Sequence, residues 1–352
     1  MIFDYLIIGQ GLCGSWLSHY LLESGASVLV MDPGTQHSAS GAASGLINPV
    51  TGKRLARQWM GDTIQPFARM AYEDYQERTG RRFARPIAIH NFFSTAEEAA
   101  FFEQKSQTTH EALLQYHTSI AEGGHFNYHY GVGSIPDAFL IDVAVFLEAH
   151  RDVLKARNAI QEERFDWTQC ELQDEGIRYK GIAAKAVIDC SGYAAVTNPY
   201  FERLPFALNK GEYLIASIPG LSPTAIFKQG TLSIAPWPGG GFWIGSTFDW
   251  DFKDELPTRE FRERSETHLH QWLRLPFKIQ EHHAAIRPAT VTRDAFVGMH
   301  PLHSQVGILN GMGSKGCSLA PYLGKNLADH LLAGVPLVAQ MDVGRYQRAL
   351  GN

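Results

Sequence analysis

The sequence predicts an α/β protein in two parts. One part is a doubly wound, largely parallel half with a dinucleotide fingerprint. The other is an α+β half, built on an antiparallel sheet and inserted discontinuously into the first. Three observations predict this. The chain opens with strand, glycine turn, helix, strand and acid in the order a dinucleotide fold needs. Apolar runs of buried-strand character recur at 186–192 and 306–309. Segments that alternate like antiparallel strands lie between them, above all 210–250.

Tyr5, Leu6, Ile7 and Ile8 have the length and composition of a buried parallel strand. Gly9-Gln10-Gly11-Leu12-Cys13-Gly14 follows, a complete G-x-G-x-x-G, and leads into an amphipathic helix marked by Leu17, Tyr20, Leu21 and Leu22. Gly25 can cap that helix, and Val28 to Met31 read as the second strand. Asp32 ends it, about 20 residues beyond the glycines, as this fingerprint requires. Gly9 permits the tight turn, Gly11 lets backbone approach a pyrophosphate, and Gly14 lets helix and strand pack closely. The helix N-terminus offers unpaired N–H groups and a positive dipole end to phosphates. Asp32 can accept hydrogen bonds from a ribose diol. Three glycines alone would be only a turn; the ordered context carries the reading. Its place in the chain favours FAD over NAD without deciding between them.

At 352 residues the chain has room for about two domains. Hydrophobic residues make up 45% and charged residues 19%, which is ordinary globular composition. A net charge of −5 argues against a nucleic-acid surface. Cys13, Cys170, Cys190 and Cys317 lack C-x-x-C spacing and read as buried thiols in a reducing compartment, with no metal site expected. No leader precedes the first strand and no apolar run approaches ~18 residues, so a cytoplasmic protein with no membrane partner is expected.

After Asp32 comes a loop of small residues, Ser38-Ala39-Ser40-Gly41-Ala42-Ala43-Ser44-Gly45. It permits close approach of a flat or bulky group to the backbone, and the apolar residues behind it argue for order. Residues 66–80 and 95–117 read as helices, with a basic cluster of Arg81, Arg82 and Arg85 between them of the kind that usually faces solvent. Residues 125–130 alternate like a strand, 131–136 read as a loop, and 141–154 as a helix. Residues 159–182 read as a small meander feeding the buried run that ends at Gly192. A four-strand alternation fills 210–250, and a polar helix about 257–273. Extended segments at 284–288, 295–298 and 306–309 lead to the glycine loop Asn310-Gly311-Met312-Gly313-Ser314-Lys315-Gly316 and a helix over 317–333.

Taken together these motifs resemble the D-amino-acid oxidase-like flavoproteins, the group holding glycine oxidase and monomeric sarcosine oxidase. The matches span the chain. They are the glycine fingerprint with Asp32, the Ser38–Gly45 loop, Val187 to Gly192 and Asn209-Lys210-Gly211-Glu212. Gly240 to Thr247, Ile286-Arg287-Pro288-Ala289-Thr290 with Asp294 and Gly298, and the 310–316 loop complete them. None is specific alone; their order is. The resemblance implies a Rossmann-like FAD-binding domain formed by 1–75, 140–205 and 290–352. It also implies a discontinuous α+β substrate domain, on an antiparallel sheet, formed by 76–139 and 206–289.

The resemblance further implies that Gly9, Gly11, Gly14 and Asp32 hold the adenosine diphosphate end. Ser40, Gly41, Ala43 and Ser44 would pass close to the flavin, with Gly192 near the returning strand. Gly311, Gly313, Ser314, Lys315 and Gly316 would cover the pyrimidine side of the ring. A helix N-terminus with Lys315 beside it fits that role on physical grounds, because it places positive potential where reduction accumulates negative charge. In glycine-oxidase-like members the matching arginine, here Arg287, grips the substrate carboxylate, and a guanidinium fork suits that task. A structural arginine paired with Asp294 or a carbonyl is the alternative. Tyr213 lies on the strand that faces the flavin in the family, either hydrogen-bonding substrate or packing as a core residue. His282, His283 and His300 lack ligand spacing and carry no assigned role.

Two departures from the family pattern matter. Covalent-flavin members carry a cysteine near the Arg-Pro-Ala-Thr segment; none stands here, so non-covalent FAD is expected, with Cys317 as the nearest thiol. Sarcosine-oxidase-like members also place a dioxygen-activating lysine where Trp243 stands. Dioxygen and another electron acceptor therefore both remain open. The sequence reading is an FAD-dependent oxidoreductase acting on the C–N bond of a small amine or amino acid. Its rivals are an oxidoreductase acting on a modified tRNA uridine, a non-catalytic flavin-binding redox sensor, and an NAD-dependent dehydrogenase.

Overall fold

The computed structural model describes residues 2–34, 38–52, 54–108 and 113–351. Strand β1 (Ile2–Ile8) is buried over its last four residues and runs out at Gly9, whose φ of +91° turns the chain into helix α1 (Leu12–Glu23). Gly25 ends the helix turn, and β2 (Val28–Met31) lies parallel to β1, Tyr5 opposite Val28 and Ile8 opposite Met31. Next come β3 (Leu46–Ile47), the small hairpin β4 (Val50–Thr51) and β5 (Ala56–Arg57), and α2 (Gly61–Thr79). Then follow β6 (Ala84–Phe92), α3 (Ala96–Thr108), β7 (Gln115–His117) and β8 (Val132–Ile141). Asp142 caps α4 (Val143–Ala156), its carboxylate accepting from the Val145 N–H. The chain continues with β9 (Ile160–Gln161), β10 (Cys170–Gln173), β11 (Gly176–Tyr179) and β12 (Ile182–Asp189). After these come β13 (Asn209–Ser217), β14 (Ala225–Gln229), β15 (Leu232–Trp237) and β16 (Gly241–Gly245). It closes with α5 (Arg259–Trp272), β17 (Lys278–Arg287), β18 (Phe296–Met299), β19 (Val306–Asn310), α6 (Gly316–Ala333) and the short α7 (Gln347–Leu350).

Two large sheets organise these elements. The first runs β10-β11-β12-β1-β2-β9, with β19 parallel to the end of β12 and β18 antiparallel to β19. Its central strands bury the apolar runs Tyr5–Ile8, Val28–Met31 and Ala186–Ile188, as strands covered on both faces must. α1 and α6 cover one face, where Leu17, Leu21, Leu323 and Leu327 pack on Ile7, Val30 and Ile188. The second sheet runs β17-β13-β16-β15-β14-β6-β8-β3, antiparallel except for β14 on β6, with β7 added to β8. One of its faces packs Leu214, Phe227, Ile234 and Ile244 against Phe261, Leu269 and Trp272. The other face is turned to the cleft between the sheets. It is the mixed α/β fold expected.

Local readings need three corrections. Residues 125–130 form no strand: a 3-10 turn over Ala121–His125 leads into β8, which takes in 132–136, expected as a loop. Gly133 is there for packing, since the ring of Phe102 lies 2.6 Å from where its Cβ would be. Helix α3 is described as far as Thr108, residues 109–112 lie outside the described residues, and residues 115–117, expected as part of the helix, pair with β8 as a strand. The expected meander over 159–182 splits: β9 pairs with β2 on the far edge, while β10 and β11 form the hairpin beside β12.

Candidate active site

A cleft of about 2260 Å³ separates the two sheets, several times the ~300–1,000 Å³ of an ordinary small-molecule pocket. Of the residues expected to hold cofactor or substrate, all but Gly14, Gly41 and Gly311 line it.

At one end the backbone makes the site. A Cβ on Gly14 would lie 1.9 Å from the Gly9 carbonyl oxygen, and one on Gly9 would lie 2.7 Å from the Cys190 carbonyl. Only glycine lets β1, α1 and β12 close up here. The first-turn N–H groups of α1 open into the cleft, with the Leu12 N–H already donating to Ser40 Oγ at 3.1 Å. The small-residue loop thereby touches the helix end, where phosphates would sit. Its Ala42 carbonyl also accepts from the Trp243 indole N–H at 3.2 Å, tying the loop to the second sheet.

Asp32 is held harder than its sequence context suggests. Its Oδ2 accepts from the Gln10 N–H (2.8 Å); its Oδ1 accepts from the Gly34 N–H (2.8 Å) and from Arg151 Nη1 (3.0 Å). Two carboxylate oxygens offer about four lone pairs, so one on Oδ2 stays free for a ribose hydroxyl. Arg151, on α4, also donates to Gln10 Oε1 and pairs with Glu162. Neither Gln10 nor Arg151 was legible as a site residue, because α4 meets the glycine turn only in three dimensions.

The glycine loop after β19 reaches the cleft beside this turn. Gly311 (φ +79°) and Gly313 (φ +55°) shape it, and the Gly313 N–H donates to the Pro288 carbonyl, fixing the loop against the end of β17. Asn310 clips it to the chain just beyond the neighbouring strand β12, donating to the Gly192 carbonyl at 2.9 Å. Lys315 sits at the N-cap of α6 and has no carboxylate partner among the described residues. Burial pushes the Cys13 and Cys317 thiols up to about 12, so neither presents a thiolate at neutral pH.

The second sheet supplies side chains. Arg287 ends β17 opposite Asn209, and its guanidinium lies over Gly211, where a Cβ would be 2.0 Å from Nη2. Nη1 donates to Asn209 Oδ1 (2.7 Å) and the Thr247 carbonyl (3.0 Å), and Nη2 donates to Ser246 Oγ (2.9 Å). The ring of Phe248 covers it, 4.4 Å from Cζ. Two of its five N–H groups remain unspent, and no carboxylate pairs with it among the described residues. Burial alone pulls its pKa down to about 10, which leaves it charged at neutral pH. Asp294 is engaged elsewhere, by Arg345 and Gln340.

Tyr213 is buried, stacked on Trp243 (5.8 Å) and His283 (5.3 Å), and burial pushes its pKa up to about 12. His282 is engaged by Glu212, and His300 Nδ1 accepts two turn N–H groups. Of the arginine cluster, Arg81 pairs with Glu148 and Asp152, and Arg85 donates to the Pro223 carbonyl. Neither lines the cleft. Among the described residues there is no cluster fit to hold a metal and no helix long and apolar enough to cross a membrane.

The arrangement fits an elongated dinucleotide: two helix N-termini, a glycine turn without room for side chains and a free acid lone pair at one end, with space continuing to the second sheet. Comparison with known proteins agrees. A family model described as FAD dependent oxidoreductase (DAO) matches residues 4–330. Glycine oxidase from Bacillus cereus superposes with a TM-score of 0.80 at 18% identity, over 96% of this chain and 99% of its own. Iminodiacetate oxidase from Chelativorans gives 0.76 at 16% identity, over 96% and 97%. L-Proline dehydrogenase from P. horikoshii gives 0.77 at 15% identity, over 98% of each chain.

Proposed function

Because the chain belongs to the DAO family of FAD-dependent oxidoreductases, we propose that it oxidises the C–N bond of a small amino acid or carboxylate-bearing amine, held by Arg287. FAD is its cofactor. The observation that carries the reading is Arg287 itself: a desolvated guanidinium on the cleft face, with two unspent donors and no carboxylate of its own. A half-buried cation with no carboxylate partner among the described residues can take one from a substrate.

The residues divide the work by position. Asp32, α1 and the glycine turn bind the adenosine diphosphate end, and the 310–316 loop with the α6 N-terminus sets positive potential against the other rim. Arg287 fixes the carboxylate, Tyr213 and Trp243 wall the site, and together they orient the substrate and exclude water. The amine enters unprotonated; its α-carbon loses a hydride and its nitrogen a proton, leaving an imine that water hydrolyses. FAD supplies the two-electron acceptor when bound. Non-covalent attachment is the reading because no cysteine stands near the Arg287-Pro288-Ala289-Thr290 segment, and the acceptor that reoxidises the protein is dioxygen or another oxidant. The unpaired cysteines fit a reducing, cytoplasmic setting.

The test is an anaerobic absorbance scan of the yellow protein with amines and amino acids added in turn. One compound should bleach the flavin bands, and Arg287→Met should slow bleaching by carboxylate-bearing compounds about 100-fold or more while keeping the flavin. A yellow protein that no amine bleaches would sink the reading and favour a redox sensor. Admitting air to the bleached sample then separates oxidase from dehydrogenase.

A further inference from the structure

One cation in the cleft has no part in the reading above. The register of the second sheet aligns Asn91 (β6), Lys228 (β14), Ser233 (β15), Gly245 (β16) and Tyr213 (β13) in a single row across five strands. All five line the cleft. Their neighbours Phe227, Ile234, Ile244 and Leu214 point the other way, into the core under α5. Lys228 therefore rises from the same surface as Tyr213, at the end that α3 closes with Phe102.

Among the described residues no carboxylate lies within ion-pair distance of Lys228 and no acceptor takes its N–H groups. Glu98, which lines the same end, has its carboxylate turned to the Ser94 N–H at 2.9 Å. Burial draws the lysine pKa below its usual range, with no nearby charge opposing the effect. A half-buried ammonium that faces the cleft, with no carboxylate partner among the described residues, is placed to receive an anion.

We propose that Lys228 anchors a second anionic group of the substrate, so that the substrate is an amine or amino acid acidic at both ends, one end at Arg287 and the other at Lys228. This rests on the amine-oxidation reading and narrows it. The Arg287 guanidinium lies over Gly211, three strands and two residues from Lys228. At roughly 4.8 Å per strand and 3.3 Å per residue that is roughly 16 Å. The lysine stem covers part of it and leaves roughly 10 Å between the anionic groups. A simple α-amino acid is too short; an N-alkylated or long-chain amino acid with a distal carboxylate or phosphate fits. Asn91 and Ser233, flanking Lys228 in the row, offer further hydrogen bonds to that group.

The test uses the FAD-loaded protein and unreactive ligands. Straight-chain dicarboxylates from malonate to sebacate, and monocarboxylates of matched length, are titrated against the flavin absorbance spectrum. The wild type should bind the longer dicarboxylates about tenfold or more tightly than matched monocarboxylates, with an optimum in length. Lys228→Met should erase that gain and leave monocarboxylate binding unchanged, whereas Lys228→Arg should keep part of it. Equal binding of the two series by the wild type, or a gain that survives Lys228→Met, overturns the proposal. If monocarboxylates bind through Arg287 and dicarboxylates gain nothing, only the Lys228 assignment fails. If no carboxylate perturbs the wild-type spectrum, the role of Arg287 has failed and this inference with it.

Discussion

The two walls of the cleft are made by different means. The wall on the first sheet is backbone: a glycine turn, helix ends and a short loop, each contiguous in sequence. The wall on the second sheet is side chain: Tyr213, Lys228, Trp243 and Arg287 come from four strands and meet only through register. Backbone sites impose steric demands that survive as motifs. Register-built sites impose none, since any residue can occupy the cleft-facing position of a strand.

The contrast can be broken first at Gly14. Its added Cβ would lie 1.9 Å from the Gly9 carbonyl oxygen, where neither backbone can move alone. Gly14→Ala should cost on the order of 5 kcal/mol and yield protein without flavin, read from the flavin-to-protein absorbance ratio and thermal unfolding. Gly25→Ala is the control: φ is +85° but nothing lies within 4 Å. It should cost about 1–2 kcal/mol and keep the yellow colour.

The second difference is the response to acid. Behind α1 on the first side, His150 is fully buried, its Nε2 2.7 Å from Ser18 Oγ and its Nδ1 2.6 Å from Tyr75 Oη. Burial is the main cause that lowers its pKa to about 3, with His19 and Arg157 adding repulsion. The unfolded chain thus binds a proton near pH 6.5 that the folded chain refuses until about pH 3. Stability should be full above pH 6.5 and fall by roughly 4 kcal/mol as pH drops toward 3, measured by denaturant midpoints across that range. A midpoint flat from pH 7 to about 4 would show that His150 is not held neutral.

The third sharpens the other wall. Arg287→Met should lower kcat/KM for carboxylate-bearing substrates by about 100-fold or more, near 3 kcal/mol, with FAD content unchanged. In the wild type, carboxylate affinity should hold through neutral pH and weaken above about pH 10 as the guanidinium loses its proton. An Arg287 variant that loses flavin instead would make it a structural residue of the loop it touches through Pro288.

The legible part of the molecule follows the same division. Gly9, Gly11, Gly14 and Asp32 could be read because the fingerprint fixes both their spacing and their steric cause. Arg287 could be proposed only through resemblance, and its grip on Asn209, Ser246 and Phe248 lay beyond the sequence, since these come from separate strands and a loop. Arg151 and Lys228 were invisible: one meets Asp32 across 119 positions of sequence, and the other looks like any strand lysine until its row is drawn. The misplaced strand at β8 has a local cause, because Gly131 to Pro136 spell turn chemistry while Phe102 supplies the reason for glycine.

The smallest expected effect decides what Tyr213 does. Its ring is stacked between Trp243 and His283, and its hydroxyl has no hydrogen-bond partner among the described residues, although it lines the cleft. As a packing residue alone, Tyr213→Phe keeps the stack and changes neither unfolding nor kcat/KM. As a substrate contact, the same change removes one neutral hydrogen bond, worth about 1 kcal/mol. Kinetics should then show a roughly fivefold drop in kcat/KM with the unfolding midpoint unmoved. We expect the drop, because the hydroxyl lines the cleft with no partner among the described residues and is open to a substrate group. Unchanged kinetics would return Tyr213 to the core and leave Arg287 as the chain's first contact with substrate on that wall.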